Sequence, residues 1–333
     1  MREWIELELE LLTPAFVSGA IQKTVELRSA SVRGLLRWWW RASVGGANTS
    51  PAQLLQEEAR IFGSAQQGVK SQVVVEVRAG KLQEINRGRS LRPSGIRFTY
   101  RAGTREGTAD ILPYLAYGPV LIRPALAPGS SFTVRLSWPP GALEQPQIQQ
   151  LVRAACAWVT LGGIGARSRK GFGQLEKKSL RGSSPALDQN AKNWWSQARQ
   201  EWLRDGAPLG SSLPPFPQLH YRKIFLTRPP NPDWPSVLGC VGMFYKETIL
   251  PALKSNTVPW LRGSASPRRA SSILLSVVRE DGNNLRGLVC VLPCARDNHP
   301  PSDQLTAVKR FLAELGSARL DCSRWTGEEI APP

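Results

Sequence analysis

The stretch from Gly162 to Gly173, GGIGARSRKGFG, constrains this chain more than any other part of it. Five glycines surround Arg167, Ser168, Arg169 and Lys170, directly after a run of helical apolar spacing from Ile148 to Leu161. Without a Cβ the main chain can take positive φ and come close to a ligand. Successive amides can then point at phosphate oxygens while the basic side chains neutralise them. The spacing lacks the Gly-Lys-Ser/Thr ending of a P-loop, and Gly163, Gly165 and Ser168 lack the third glycine of a dinucleotide turn. A polyanionic strand suits it better than a mononucleotide. The same composition also describes a solvated hairpin, and the loop alone does not decide between the two.

Charge favours the strand. Lys and Arg number 43 against 26 Asp and Glu, a net +17 with pI near 10.3, the balance of a protein that meets nucleic acid or another anionic surface. Residues 1–180 hold 24 basic against 13 acidic side chains and the remainder 19 against 13, so the excess is concentrated in the first half. A length of 333 residues predicts two domains. Five scattered cysteines do not make a disulfide framework. With no apolar leader and no membrane-length apolar run, the expectation is a reduced, cytoplasmic protein without membrane insertion.

Ile5, Leu7, Leu9 and Leu11 alternate with glutamates, which predicts a half-buried first strand. Ser29 or Ser31 can cap the helix that follows. On that helix Val32, Leu35, Leu36, Trp39 and Trp40 fall in one sector, which assigns both tryptophans to the core. Arg33, Arg37 and Arg41 form a stripe beside it, and Trp38 lies outside the apolar sector as a candidate exposed contact. A guanidinium stripe can follow backbone phosphates, and an exposed indole can stack on a base; a solvated helix face is the structural alternative.

Glu57 to Phe62 predicts a short helix stopped by Gly63, and Val73, Val75 and Val77 a strand. Residues 80–110 carry Lys81, Arg87, Arg89, Arg92, Arg97, Arg101 and Arg105 against three acidic residues, a basic hairpin or finger suited to phosphate or simply to water. Phe132 to Trp138 alternates as a strand, Ile148 to Leu161 is a helix, and a last strand runs near Phe172 to Leu180. The resulting βαββαβ order is the plan of a ferredoxin-like, RRM-like domain, an α+β fold whose sheet is a common RNA-binding surface.

Four segments, LTPAFVSGA, ELRSASVRGLLRWWWRA, Glu58-Ala59-Arg60-Ile61-Phe62-Gly63-Ser64 and GGIGARSRKGFG, closely resemble the RAMP superfamily of CRISPR-associated proteins. Within it they resemble the family of first subunits of the Cmr module, the type III-B RNA-guided effector. The resemblance covers about the first 180 residues. It implies paired ferredoxin-like domains with basic loop insertions, a grip on CRISPR RNA toward its 3′ end, a contribution to target RNA capture, and neighbouring RAMP subunits as partners. It also implies that target RNA is cut by another subunit. The expected RNA-binding residues are Arg33, Arg37, Trp38, Arg41, Gly163, Gly165, Arg167, Ser168, Arg169, Lys170 and Gly171. Arg268 and Arg269 join them because Pro267 to Ser272 resembles the basic segment of the family's second domain.

A second domain is expected over residues 183–333, after a first domain of residues 1–182. Asn193 to Arg204 has helical spacing, and proline-rich connectors follow at 206–217 and 228–235. Ile224 to Leu226, Val237 to Tyr245, Ile273 to Val278 and Leu288 to Leu292 read as strands, Leu305 to Leu315 as an amphipathic helix, and the end from Gly327 as frayed.

Catalysis finds few candidates. The first domain has no histidine, and His220 and His299 both lie beside turns or prolines. His220 with Tyr221 and Lys223 is the one cluster considered for general base chemistry. Cys290, Cys294, Cys322 and His299 have loose metal-ligand spacing, but Cys290 sits in an apolar strand where a structural thiol is expected. The expectation is no catalytic residue, no metal and no cofactor, with a RAMP-type endoribonuclease acting on precursor RNA as the alternative.

Overall fold

The computed structural model describes residues 1–21, 23–45, 50–86, 91–102, 104–117, 123–263, 270–295 and 301–326. The first half contains β1 (Glu3–Leu11), α1 (Ser29–Val44), α2 (Pro51–Phe62), β2 (Val74–Ala79), β3 (Glu84–Ile85), β4 (Arg97–Ala102) and β5 (Arg105–Asp110). It continues through α3 (Ile111–Leu115), β6 (Ala125–Leu126), β7 (Ser131–Trp138), α4 (Gln145–Leu161), β8 (Leu175–Gly182) and α5 (Pro185–Trp202). The second half contains β9 (Lys223–Leu226), α6 (Trp234–Phe244), a π-helical turn (Tyr245–Ile249), α7 (Leu250–Ser255), β10 (Ile273–Arg279), β11 (Leu285–Val291), α8 (Pro301–Gly316) and α9 (Ser323–Thr326).

The main sheet of the first half has the order β2-β7-β1-β8, every neighbour antiparallel. The alternation in β1 sets its register. Ile5, Leu7 and Leu9 pair with Leu136, Val134 and Phe132 on the buried face, while Glu6 meets Arg135 at 2.7 Å on the other. A one-residue slip would turn every leucine to water. Helices α1 and α4 cover the apolar face, and Trp40, Phe62, Trp138 and Trp158 are fully buried between the layers. Each such side chain contributes about 2 to 3 kcal/mol of burial.

The second sheet, β10-β11-β9, is antiparallel and three-stranded among the described residues. Both of its faces are buried, which is why ILLSVV shows no polar alternation. Leu274, Val278, Leu288 and Cys290 face the first half and share its core with α4. Ile273, Leu275, Val277, Val289 and Val291 belong to a second core with α6 and α8.

Three expectations change. Val237 to Tyr245 is helix α6 and the start of the π turn, not a strand. A uniformly apolar run does not distinguish a buried strand from a buried helix. The helix signal lay just upstream: Asp233 accepts from the Ser236 amide as N-cap, with Pro235 in the first turn. Second, α1 has Arg28 rather than a serine at its N-cap, because the Ser29 hydroxyl accepts from the Val77 amide of β2. Third, Ala191, Trp195, Ala198 and Trp202 of α5 are buried in the first core, which therefore extends past Gly182.

Candidate nucleic-acid interface

The glycine loop is built into the seam between the halves. Its amides at Ile164, Ala166 and Gly173 donate to Gly173, Phe16 and Pro14 carbonyls at 2.8 to 2.9 Å, stitching it to the segment after β1. Gly173 (φ +65°) is required, since a Cβ there would lie 2.0 Å from the Ile164 carbonyl oxygen. Gly165 (φ +88°) is likewise closed to a side chain, because Phe16 backbone oxygen would be 2.6 Å away. Beneath the loop, Thr13 Oγ1 donates to Gly171 O and accepts from the Gln174 amide, both at 2.9 Å. Gln174 Nε2 holds the Ser168 and Phe172 carbonyls, and its Oε1 accepts from Ser276 of β10. Among the described residues the amides of Gly165, Arg167 and Ser168 make no hydrogen bond within the protein.

The loop's cations divide by direction. Arg167, itself at φ +63°, reaches the Tyr117 carbonyl. Arg169 lies over the Trp38 ring at 4.4 Å and donates to Ser271 O at 2.5 Å, and burial brings its guanidinium down to about 10. Lys170 places Nζ 3.6 Å over the Tyr245 ring, with no hydrogen-bond partner among the described residues. Its ammonium is pulled down to about 7, by burial first and then by Arg167 and Arg262. Arg169 and Lys170 thus tie the loop to the second half, and Trp38 is a half-buried shelf for Arg169.

Lys170 predicts a pH dependence. Between about 7 and its ordinary value the unfolded chain binds more protons than the folded one at this site, so stability rises with pH there. Wild-type protein is expected to gain stability relative to Lys170→Met from pH 7 to 9.5, measured by denaturation of both at several pH values. Parallel curves would contradict the assignment.

The arginine stripe has a buried partner. Arg37 Nε and Arg41 Nη1 lie 2.5 and 2.7 Å from the two carboxylate oxygens of Glu58, which is fully buried on α2, while the arginine side chains are 32% and 38% exposed. Arg33 donates to the Phe62 carbonyl at the end of the same helix. The stripe therefore fastens α2 to α1 and keeps only its outer edge in water.

Two arginines that the spacing did not single out share a cleft with Gly165. The cleft, of about 330 Å³, runs between the segment after β1, the start of α1 and the glycine loop, lined among others by Ser18, Glu26, Arg28, Ser31, Arg123 and Gly165. Arg28 is exposed and only loosely paired with Glu26 at 3.6 Å. Arg28 sits at the edge of a quoted segment, a signal that was available. Arg123 lies within the proline-punctuated stretch from Pro113 to Pro128, which has no local pattern.

Arg268, Arg269 and His299, with Arg87 and Arg89 of the basic stretch, lie outside the described residues. His220 is exposed with its ring edge-on to Tyr221 at 4.6 Å, and Lys223 pairs with Asp205 rather than with it. All five cysteines are buried thiols, and the described residues contain no group of three metal-ligating side chains. No described helix is long and apolar enough to cross a membrane.

Residues 8–176, from β1 through the glycine loop, match the profile of the RAMP superfamily, and the chain belongs to that superfamily. It is similar to the CRISPR system Cmr subunit Cmr1-2 of Pyrococcus furiosus, 29% identical over 52% of this chain and 95% of the relative. It is also similar to Cmr1-1 of the same organism, 27% identical over 75% of this chain and 73% of the relative. In fold it is similar to the apo crystal structure of Pyrococcus furiosus Cmr1, with a TM-score of 0.57 at 22% identity over 93% of this chain and 96% of that one. A chain of the type III-B Cmr-beta complex bound to cognate target RNA and AMPPnP gives a TM-score of 0.58 at 11% identity, covering 95% and 99%.

Proposed function

We propose that this chain is a non-catalytic CRISPR RNA-binding subunit of a type III-B (Cmr) effector, holding the guide toward its 3′ end and contributing to target RNA capture. The observation that carries this reading is the cleft at the glycine loop, where Gly165, whose amide has no hydrogen-bond partner among the described residues, shares a lining with Arg28, Arg123 and Glu26. A backbone donor beside guanidinium groups on a chain of charge +17 fits a phosphodiester backbone. Similarity to Cmr1 supplies the choice of RNA, the neighbouring RAMP subunits and the reading of both halves as ferredoxin-like units. The second sheet's order supports that last reading, since β10-β11-β9 repeats the second-third-first order of β2-β7-β1. In this reading Arg33, Arg37, Trp38 and Arg41 act mainly by holding α1 against α2 and the loop. Gly163 and Gly171 shape the loop, and no metal or cofactor takes part.

Co-expression with the neighbouring subunits and a CRISPR array, followed by sequencing of crosslinked RNA, tests this directly. Crosslinks near the guide 3′ end are expected, and labelled precursor RNA incubated with the purified chain, with or without Mg²⁺, is expected to remain intact. Discrete cleavage abolished by His220→Ala would favour the endoribonuclease alternative.

A further inference from the structure

We propose that Phe98, Tyr100 and Tyr114, with Lys246 beside them, form a platform on which bases of single-stranded RNA stack, adjoining the phosphate-binding loop. This rests on the RNA-binding reading and adds to it a second kind of contact. Most large aromatic rings of this chain are buried, yet Tyr100 is 44% exposed, Tyr114 37% and Tyr117 72%. Exposed phenols gathered in one region need a partner or a purpose.

Their geometry is ordered. Phe98 and Tyr100 are two residues apart on β4 and so share one face of the β4–β5 hairpin. Phe98 lies 6.2 Å from Tyr100 and 5.5 Å from Tyr114, centroid to centroid. Lys246 Nζ sits 4.5 Å over the Phe98 ring. Tyr100 is opposite Gly107, where a Cβ would come within 3.0 Å of the phenol oxygen, so the glycine leaves the ring room to lie across its own hairpin. The base of the hairpin is fixed by Asp110, whose carboxylate accepts from the amides of Ser94, Gly95 and Leu112 at 2.8 to 3.1 Å. The rings are therefore held before any ligand arrives, which lowers the entropy cost of binding.

Two features select RNA as the occupant. Lys246 continues into a groove edged by Lys254 and Arg262, so the apolar rings are bordered by cations and match a strand that presents bases and phosphates in alternation. The platform is also continuous with the glycine loop: the Tyr117 amide donates to the Tyr114 carbonyl, and the Tyr117 carbonyl accepts from Arg167. A strand whose phosphates lie at that loop has its next bases beside Tyr117 and Tyr114. Stacking needs no particular base, so this contact tolerates any guide or target sequence.

The experiment compares wild type with the double variant Tyr100→Ala, Tyr114→Ala and with the conservative pair Tyr100→Phe, Tyr114→Phe. Each binds two fluorescently tailed strands of equal length and charge, one of normal RNA and one with abasic sites in place of the bases. Thermal unfolding of each variant checks that it remains folded. The alanine pair is expected to lose about tenfold or more in affinity for normal RNA and little for the abasic strand, and the phenylalanine pair to keep wild-type affinity. A 2-aminopurine placed along the strand should be quenched by wild type and not by the alanine pair. Unchanged affinity of the alanine pair for normal RNA would overturn the platform while leaving the loop reading intact, as would variants that keep RNA affinity but lose a neighbouring subunit. Failure of wild type to bind either strand would instead overturn the RNA-binding reading and the platform with it.

Discussion

Replacing Arg37 and Arg41 together by alanine is expected to destabilise the folded chain by about 3 kcal/mol, the low end of the range for breaking a buried ion pair, because both guanidinium groups keep some water. Glu58 has none. With both partners gone its carboxylate is left in the α1–α2 interface, unless α2 shifts and opens the core around Trp40 and Phe62, whose rings meet edge-on at 6.4 Å. Either single variant should cost less, since the remaining arginine still reaches one carboxylate oxygen. Adding Glu58→Gln to the double variant should recover part of the loss by removing the stranded charge. Chemical denaturation of wild type and the four variants measures this; a double-variant loss below about 0.5 kcal/mol would mean the pair behaves as a surface ion pair.

That result bears on how the sequence is read. The stripe of Arg33, Arg37 and Arg41 was legible from a spacing of four, as was the burial of Trp39 and Trp40 beside it. Its partner was not, because Glu58 lies on the next helix and a helical wheel holds no information about what packs against it. Periodicity was most informative where one face meets water. Strands β1 and β7 alternate and were placed from their patterns, whereas β10 and α6 are enclosed on all sides and their apolar runs do not separate strand from helix. For α6 the cap at Asp233 carried the missing information.

The glycine loop shows the same division. In sequence its glycines read as room for a ligand to approach, whereas at Gly165 and Gly173 it is the protein's own backbone that comes within 2.6 and 2.0 Å of where a Cβ would stand. Which side chains stay available was not recognisable. Arg169 and Lys170 look equivalent to Arg167 in sequence, yet each is taken by an aromatic ring, Trp38 and Tyr245, contributed by elements far along the chain. The fold instead brings Arg28 and Arg123 to the cleft beside Gly165.

The salt dependence of RNA affinity tests the central claim most directly. Each phosphate neutralised on a single strand adds about 0.7 to the slope of log affinity against log salt, so five contacts give about a hundredfold loss between 50 and 200 mM. Wild type is expected to show a slope of this order. Arg28→Ala, Arg123→Ala and Arg167→Ala should each weaken binding and each lower the slope by about 0.7, while Lys170→Met should weaken binding less and leave the slope nearly unchanged. A phosphate site at the glycine loop would be contradicted by an affinity indifferent to salt, or by a steep slope that none of the three arginine variants alters.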